Sequence, residues 1–470
     1  MQKQAARRKE IDMLNGPILQ RVILFAIPLI LTNMLQLVYN AADIIVVGQF
    51  DGLEAVAAVG ATTSLYNLFS NLSISLSSGT SMCLSVQLGA KNHKEAFEYT
   101  HTSVVTALVI GVLMGVLGFF TAEPLLRLLK TDPIILERST LYLKIIFLGF
   151  PATLLYNYTA NIIRTIGNTK SPLIYLAISG VANVALNVVF VAGFHMGVAG
   201  VAIATLSSQV LSAILCVRYL HRLPKEHPCH LYFTRLRMYN NKFARILNAG
   251  IPIALNSMAF SVANVTIQSS VNTFGVAGVS GSSSAASIEG FTYVAMNSVV
   301  QASLIFIGQN RGAGKYDRIK RIIFNNVLLV SAVGIVMGGA TFLLARPLLS
   351  LYLGQGEDLA VAFGVNRMMC VLLPYFICGI MDTLIYCSRG LGASFWPMVF
   401  SISAVFGIRV LWVFLVLPYL STIFTDVFVQ YRILFLSYPI SWFLSCIPQS
   451  IYLACRYKKM KRERENLQAL

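Results

Sequence analysis

Three acidic residues lie inside long apolar stretches, where a charged side chain is costly. Asp43 occurs in YNAADIIVVG, Glu289 in SSAASIEGFTYVAM and Asp382 in CGIMDTLIYC. An ionised carboxylate in a hydrocarbon-spanning helix costs about 3 kcal/mol, and such residues usually face a bundle interior or a watery cavity. A carboxyl group there can attract a cation or take up a proton, since burial disfavours its charged form. All three acids are therefore candidates for binding an ion or a cationic ligand.

Each of these acids also has a structural interpretation. Asp43 is followed by VVGQFDG, which indicates that the span ends soon after it, so the residue could sit at the membrane interface. Glu289 and Asp382 could instead form hydrogen bonds between helices, and the small residues around Glu289 permit close helix approach. Three further polar residues share the helical face of Asp43 and are predicted to line a cavity: Gln36, Tyr39 and Asn40.

The composition is that of a polytopic membrane protein. Of 470 residues, 56% are hydrophobic and only 12% are charged, whereas soluble domains carry about 25% charged residues. The start, MQKQAARRKEIDML, is a basic tail that runs into an ordinary span, so no cleavable signal peptide is expected. The eight cysteines show no CxxC spacing, so neither a metal cluster nor a structural disulfide is expected.

Apolar segments of span length predict about twelve transmembrane helices. Most of the 36 Lys and Arg fall in alternate connections and in both tails, which predicts cytoplasmic termini and accounts for the net charge of +17 without a nucleic-acid partner. The predicted organisation is a cytoplasmic tail at 1–16, an N-lobe of six spans at 17–220, a cytoplasmic linker at 221–242, a C-lobe of six spans at 243–455 and a basic cytoplasmic tail at 456–470.

The two halves repeat at a nearly constant offset. AIPLIL at 26–31 corresponds to GIPIAL at 250–255, and RTIGNTKSP corresponds to RGLGASFWP, with Arg164 matching Arg389. Six spans return the chain to its starting side, so the halves are predicted to be parallel repeats with a binding site between them. The two arginines are predicted to be structural helix ends. Pro28 and Pro252 are predicted hinges, because a proline inside a span removes a backbone hydrogen bond and permits a bend.

The same repeat pairs Asn157 in the first half with Asp382 in the second. The shared polar character predicts that both positions face inward, and Asn157, Glu289 and Asp382 are accordingly candidates for lining a substrate cavity.

The sequence resembles the MATE (multidrug and toxic compound extrusion) family over nearly its whole length. The resemblance rests on DMLNGPILQRVILFAIPLIL, VYNAADIIVVGQFDGLEAVAAVG, VQLGAKN, IIRTIGNTKSP and ANVALNVVFVAGFHMGVAGVAIATLSSQ. It implies an all-α polytopic membrane protein with two six-helix lobes around a central cavity. It also implies cation-coupled export of amphipathic, often cationic organic compounds by alternating access, without a cofactor.

In similar proteins the aspartate of the first span, here Asp43, binds the coupling ion. The family partners are an Asn and, four residues later, an Asp on the fifth span, and a Thr in a GxAGxAxAT run on the sixth. Here these positions are Asn183, Asn187 and Thr205, so an amide replaces the second acid. The i, i+4 spacing allows both amides to reach Asp43. With a single acid the site suits a proton, although its oxygens could also hold sodium.

These observations predict a secondary multidrug antiporter in the cell (inner) membrane, with small organic cations as substrates. The protein is expected to be a monomer surrounded by membrane lipids. The alternative within the same superfamily is a flippase for lipid-linked saccharides, which would need a strongly cationic cavity. A membrane enzyme or a non-transporting receptor is disfavoured, because no clustered catalytic groups are seen. No Walker A motif is present either, so the sequence favours an ion gradient as the energy source.

Overall fold

The computed structural model describes residues 10–354 and 356–469, apart from the side chains of Asn40 and of residues 467–469. Within this part of the chain the elements are helices and their connecting turns, with no β-strand. The all-α prediction is therefore confirmed.

The first half of the chain forms a series of long helices. They are α1 (Ile18–Phe50), α2 (Leu53–Gly89), α3 (His93–Leu128), α4 (Pro133–Leu148), α5 (Phe150–Ile166), α6 (Lys170–Asn187) and α7 (Gly197–His221). A π-helical segment, Val188–Gly193, continues α6, and a short 3₁₀ turn, Phe233–Arg235, lies in the predicted linker.

The second half follows the same plan with more interruptions. Its helices are α8 (Asn240–Val271), α9 (Gly275–Gly312), α10 (Tyr316–Leu343), α11 (Ala345–Leu353), α12 (Asp358–Val371), α13 (Tyr375–Gly390), α14 (Phe395–Ser401), α15 (Ile408–Leu411), α16 (Leu417–Ile423) and α17 (Val427–Ala469). A 3₁₀ turn, Asn272–Phe274, separates α8 from α9. Two π-helical segments, Ile402–Gly407 and Trp412–Val416, flank α15.

The helices account for the predicted spans. By length and composition, 8 helical stretches of the described chain can cross a membrane, or up to 10 when each bent pair counts as one span. The bent pairs are α4 with α5, at 47°, and α12 with α13, at 45°. One of the 8 stretches, residues 240–312, contains both α8 and α9. The Ser-rich helix α2 is not among these stretches. It is 37 residues long and lies where the sequence predicted a further span.

Contacts between α-carbons divide the chain into two compact units. The N-terminal unit contains the described residues up to Asp12 and Ile27–Ala254, and the C-terminal unit contains Met13–Ala26 and the described residues from Leu255 onward. The chain therefore changes unit between Asp12 and Met13, again within α1 and again within α8. The two changes inside helices occur within three residues of a proline, Pro28 in α1 and Pro252 in α8.

Glycines on α3 let it pack closely against the bend between α4 and α5 in the N-terminal unit. A Cβ atom added at Gly111 would lie 2.6 Å from the Cα of Pro151, and one added at Gly115 would lie 2.8 Å from the carbonyl oxygen of Phe147. Small residues allow helix backbones to approach in this way in membrane proteins. The bend is therefore held by backbone contact that larger side chains would prevent.

Glycines also permit close helix packing in the second half. In the C-terminal unit, a Cβ added at Gly334 of α10 would lie 2.9 Å from the Cα of Phe376, and one at Gly338 would lie 2.8 Å from the carbonyl oxygen of Leu372. Both contacts fall on the bent pair α12–α13. The repeat seen in the sequence thus extends to the way each half packs its bent pair.

We expect Gly111→Ala to lower the thermal unfolding temperature of the detergent-solubilised protein. The new methyl group meets backbone atoms, and overpacking of this kind costs about 1–3 kcal/mol. Gly60→Ala on α2 is the matched control, because nothing lies within 4 Å of a Cβ built there. The control variant should unfold at or above the wild-type temperature, since Ala favours helix over Gly. Equal effects of both substitutions would contradict the close packing of α3.

The predicted linker packs against the start of α3 in the N-terminal unit. The backbone N–H of Tyr232 donates to His101 Nε2 at 3.1 Å, and that of Tyr239 donates to Thr102 Oγ1 at 3.3 Å. Lys242, which is 2% exposed, pairs with Glu95 and lies 3.4 Å from the carboxylate of Glu98. The linker is therefore docked by specific polar contacts.

His227 is a half-buried histidine within this docked segment. Its Nδ1 accepts a hydrogen bond from the backbone N–H of Cys229 at 3.1 Å, and its Nε2 lies 3.9 Å from the Glu10 carboxylate. Burial, assisted by the neighbouring His93 and His230, lowers the pKa of His227 from 6.5 to about 4. The docked segment therefore contains a neutral imidazole near neutral pH.

This shift predicts that docking weakens on acidification. When the segment opens, His227 regains its ordinary pKa near 6.5, so the open form alone binds a proton between about pH 6.5 and about pH 4. Docking is then strongest above pH 6.5 and declines towards pH 4. Hydrogen exchange of the 222–239 amides, corrected for intrinsic rates, measures the opening. His227→Asn keeps an acceptor for Cys229 and should flatten the pH dependence, and an unchanged dependence would refute this role of His227.

Candidate functional site

Asp43 lies on α1 within the N-terminal unit and is 7% exposed. Its carboxylate has a partner on each oxygen. Asn187 Nδ2 donates to Oδ1 at 2.6 Å, and the Thr205 hydroxyl donates to Oδ2 at 3.2 Å. Hydrogen bonds to a charged acceptor are stronger than neutral ones, and they offset part of the cost of burying the carboxylate. Asp43 is therefore a buried, hydrogen-bonded acid.

Asn183 completes the group. Asn187 Nδ2 also donates to Asn183 Oδ1 at 3.3 Å, and Asn183 Nδ2 donates to Thr205 Oγ1 at 3.4 Å. Four side chains from three helices thus form one connected network, which we call the Asp43 cluster: Asp43, Asn183, Asn187 and Thr205. These are the residues that the sequence resemblance proposed for the coupling ion.

One oxygen of this cluster has no partner. Asn187 Oδ1 is fully enclosed and accepts no hydrogen bond among the described residues. Buried acceptors are nearly always satisfied, so such an atom is a natural place for an added proton donor or a cation. The cluster therefore has one acceptor beside the carboxylate that can still bind a positively polarised group.

Local sequence explains how α6 and α7 present the cluster. Asn183 and Asn187 are four residues apart and lie on one face of α6. The π-helical segment begins directly after Asn187, and π-helical turns occur frequently at functional sites. At Gly200 a Cβ would lie 3.0 Å from the Cβ of Phe190, so the glycine lets α7 approach this segment. The GVAGVAIAT run is thus the small surface that brings Thr205 to α6.

Tyr39 contacts α6 one turn before Asp43. Its hydroxyl donates to the carbonyl oxygen of Leu176 at 3.1 Å, and its ring occupies the space that a Cβ at Gly180 would need. The sequence predicted Tyr39 as a cavity-lining residue, and the structure gives it a packing contact. Gln36 is half-buried on the same helix, and the side chain of Asn40 lies outside the described part of the structure.

Pro28 lies inside α1, one helical turn before Thr32. The Thr32 hydroxyl donates to the Pro28 carbonyl oxygen at 2.7 Å. Back-bonding of this kind often bends a helix, and a proline removes a helical hydrogen bond at the same place. The helix that carries Asp43 is therefore weakened at Pro28, and α8 contains Pro252 in the corresponding position.

Asn157 is not part of the Asp43 cluster. Its Nδ2 donates to Ser73 Oγ at 2.9 Å, and one turn further Asn161 donates to Ser77 at 2.8 Å. Another turn on, Thr165 donates to Ser81 at 3.2 Å. These bonds form a polar ladder between α5 and α2, so Asn157 has an interhelical bonding role here.

The two other acids lie in the C-terminal unit. Glu289 is 4% exposed and its carboxylate pairs with Arg367, with Nη2 to Oε2 at 2.9 Å and Nε to Oε1 at 3.1 Å. Arg367 also donates to Ser282 Oγ at 2.8 Å. Asp382 is half-buried on α13 and is acted on electrostatically by Arg389. Glu289 is therefore a neutralised acid, whereas Asp382 makes no comparable ion pair among the described residues.

Comparison with known proteins identifies the family. The sequence model of the family described as MatE matches residues 28–189 and, a second time, residues 252–415. The chain belongs to the MatE family. The double match also confirms the internal repeat, since one family model fits each half.

Two curated relatives and one solved structure illustrate what this MatE chain resembles. It is 28% identical over 415 residues to "Probable multidrug resistance protein YoeA" of Bacillus subtilis (strain 168), covering 87% of this chain and 89% of that protein. It is 24% identical over 379 residues to "FAD transporter" of Shewanella oneidensis, covering 79% and 82%. An outward-facing multidrug resistance MATE family transporter superposes with a TM-score of 0.87 at 18% identity, covering 96% of this chain and 99% of that one. The resemblance to MATE transporters and the two-lobe fold are thus confirmed.

Two buried residues of this MatE chain were missed by the sequence interpretation. Arg367 and Arg409 both lie inside the C-terminal unit, at 8% and 1% exposure, although the embedded charges were expected to be acids. The sequence does contain a signal for both residues, because each is a single cation in an apolar run: GVNRMMCVLL for Arg367 and VFGIRVLWVF for Arg409. A lone arginine in such a run marks a functional or paired position as much as a lone acid does.

We expect Asn187→Leu to destabilise the protein at neutral pH. It removes the donor to Asp43 Oδ1 and leaves a buried charged acceptor unsatisfied, which costs about 1–3 kcal/mol or more. Thermal unfolding in detergent measures the effect. In Asp43→Asn the charge is absent. Adding Asn187→Leu to that variant should therefore destabilise the protein less than adding it to the wild type does. Additive effects in this double-mutant cycle would show that the two side chains are not coupled, and Asn157→Leu is the control outside the cluster.

Proposed function

We propose that this MatE chain is a secondary transporter that exports small amphipathic organic cations in exchange for protons. The observation that carries the proposal is the Asp43 cluster, which holds a single titratable acid among two amides and a hydroxyl. Its relatives include a probable multidrug resistance protein, which supports organic compounds as the exported cargo.

The hydrogen bonds of the cluster allow Asp43 to take up a proton. A hydroxyl can donate or accept a hydrogen bond, whereas the N–H₂ group of an amide only donates. The Thr205 hydroxyl, 3.2 Å from Asp43 Oδ2, can therefore rotate and accept from that oxygen once it is protonated. Asn187 can keep its bond to Oδ1 in both states. Proton uptake at Oδ2 thus requires only one hydroxyl rotation.

Coupling follows if the proton and the cargo compete electrostatically. A cation close to Asp43 favours the charged carboxylate, and so expels the proton. By linkage, proton binding must weaken cargo binding by the same factor. We propose that α1 transmits this exchange by bending at Pro28, with Pro252 as the corresponding hinge of α8, in an alternating-access cycle. Sodium at the cluster is the alternative, with Asn187 Oδ1 as the free oxygen that would favour it.

The test is export of rhodamine 123, a fluorescent organic cation, from proteoliposomes under a proton gradient or a sodium gradient applied separately. We expect wild-type protein to export the dye on a proton gradient. Asp43→Asn should lower the proton-driven rate to the protein-free background, because the amide cannot carry the proton. Asp358→Asn, an exposed acid in the C-terminal unit, is the matched control and should export normally.

Two results would overturn the proposal. Normal proton-driven export by a correctly inserted Asp43→Asn protein would exclude Asp43 as the coupling acid. Export by the wild type on a sodium gradient alone would make sodium the coupling ion. Thr205→Ser, which keeps the hydroxyl, should export faster than Thr205→Val, and this order tests the proposed rotation.

A further inference from the structure

The interior of the C-terminal unit holds three arginines with different surroundings: Arg367, Arg389 and Arg409. Arg367 is paired with Glu289. Arg389 lies in the last turn of α13, where the negative end of the helix dipole favours a cation, and its guanidinium lies 4.7 Å from the ring centre of Tyr386. Arg367 is thus matched by an acid. Arg389 has a helix end and the nearby acid Asp382, although its Nε and Nη2 have no hydrogen-bond partner among the described residues.

Arg409 has neither of these. Its Nη1 donates to Asn264 Oδ1 at 2.9 Å and its Nε donates to Ser441 Oγ at 3.3 Å. Its guanidinium carbon lies 3.9 Å from the ring centre of Tyr438. All of these partners are uncharged, and no carboxylate of the described chain lies within ion-pair distance of it. The third nitrogen, Nη2, makes no hydrogen bond within the described residues.

Beside Arg409 lies a second donor without an acceptor. The ring centre of Trp442 is 6.0 Å from the Arg409 guanidinium carbon, and Trp442 is 2% exposed. Its Nε1–H is fully enclosed and has no hydrogen-bond partner among the described residues. An indole nitrogen can only donate, so this group lacks an acceptor. Two neighbouring side chains therefore each have one N–H group without an acceptor among the described residues.

A bound anion would satisfy both the Arg409 guanidinium and the Trp442 N–H. A buried cation without a counter-ion carries a large desolvation cost, and neutral hydrogen bonds and an aromatic face offset only part of it. An anion with more than one oxygen can accept from a guanidinium nitrogen and from an indole N–H together. Tyr438 and Trp442, whose rings lie beside the guanidinium, offer aromatic surface to the apolar body of such a molecule.

The backbone at Arg409 differs from an ordinary helix. The four-residue helix Ile408–Leu411 lies between the π-helical segments Ile402–Gly407 and Trp412–Val416. π-helical turns are rare and occur frequently at functional sites. Loss of either turn would shift the helical register by one residue and rotate Arg409 about the axis by about 100°. Such a shift would change the surroundings of Arg409, which is enclosed in this conformation.

We propose that Arg409 is a binding site for the anionic group, a carboxylate, sulfonate or phosphate, of amphipathic compounds carried by this transporter. Trp442 Nε1–H donates to the same group, and Asn264 and Ser441 hold the guanidinium in place. The inference rests on the proposed export function and extends its substrate class from organic cations to zwitterions and anions.

The experiment is equilibrium dye binding to the purified full-length protein, measured by fluorescence anisotropy. Carboxyfluorescein carries negative charge and rhodamine 123 carries positive charge on the same xanthene ring system, so the pair isolates the effect of charge. We expect Arg409→Gln to raise the Kd for carboxyfluorescein about tenfold or more, since a hydrogen bond to a charged group is lost. The Kd for rhodamine 123 should stay within about twofold. Arg346→Gln, an exposed arginine of the same unit, is the charge-matched control and should bind both dyes as the wild type does.

Further variants keep the test decisive. Trp442→Phe keeps an aromatic ring without the N–H and should weaken carboxyfluorescein binding alone. If Arg409→Gln does not fold, Arg409→Lys replaces it, since the ammonium keeps the charge but lacks the planar fork, and carboxyfluorescein should bind several-fold less tightly.

Three results would overturn the proposal: no saturable carboxyfluorescein binding by the wild type, an unchanged Kd in the Arg409 variant that folds, or full competition by millimolar chloride, which would indicate an inorganic-ion site. Binding requires no gradient, so this result is independent of the transport test of Asp43.

Discussion

The hydrogen bonds that hold the Asp43 carboxylate inside the N-terminal unit are the constraint on which the site depends. A buried charge without donors would be too costly to keep, so α6 and α7 must deliver Asn187 and Thr205 to one point on α1. The i, i+4 amides, the π-helical turn after Asn187 and the close approach at Gly200 all serve this convergence. The same bonds leave Asn187 Oδ1 free, which gives the cluster its capacity for one added positive group.

The C-terminal unit handles its buried charges differently. Glu289 is neutralised by Arg367, whereas Arg409 is held by uncharged partners only. The N-terminal unit thus presents a buried acid and the C-terminal unit a buried base with no acid beside it.

Backbone packing supplies the rigidity that these sites need. Glycines on α3 and α10 meet the bent pairs α4–α5 and α12–α13 at distances where a methyl group would not fit. In a bilayer, lipid is as apolar as the helix surfaces, so close backbone contact and polar bonds, rather than hydrophobic burial, stabilise helix association. The ladder from Asn157 to Thr165 is the polar counterpart of this packing.

The sequence by itself determined the all-α membrane class and the doubled arrangement of helices, and it named Asp43 as a candidate, because apolar run length, repeated motifs and an isolated acid are local signals. The grouping of Asp43 with Asn183, Asn187 and Thr205 came from family resemblance, and the structure gave the bonds that join them. Tertiary structure alone decided which embedded charges are paired. Glu289 is neutralised by an ion pair, and Asn157 and Tyr39 form hydrogen bonds to neighbouring helices. The first turns of α1 belong to the C-terminal unit, and Arg409 has no acid beside it. The physical reason is that pairing depends on the rotation of each helix about its axis, which packing sets and hydropathy does not encode.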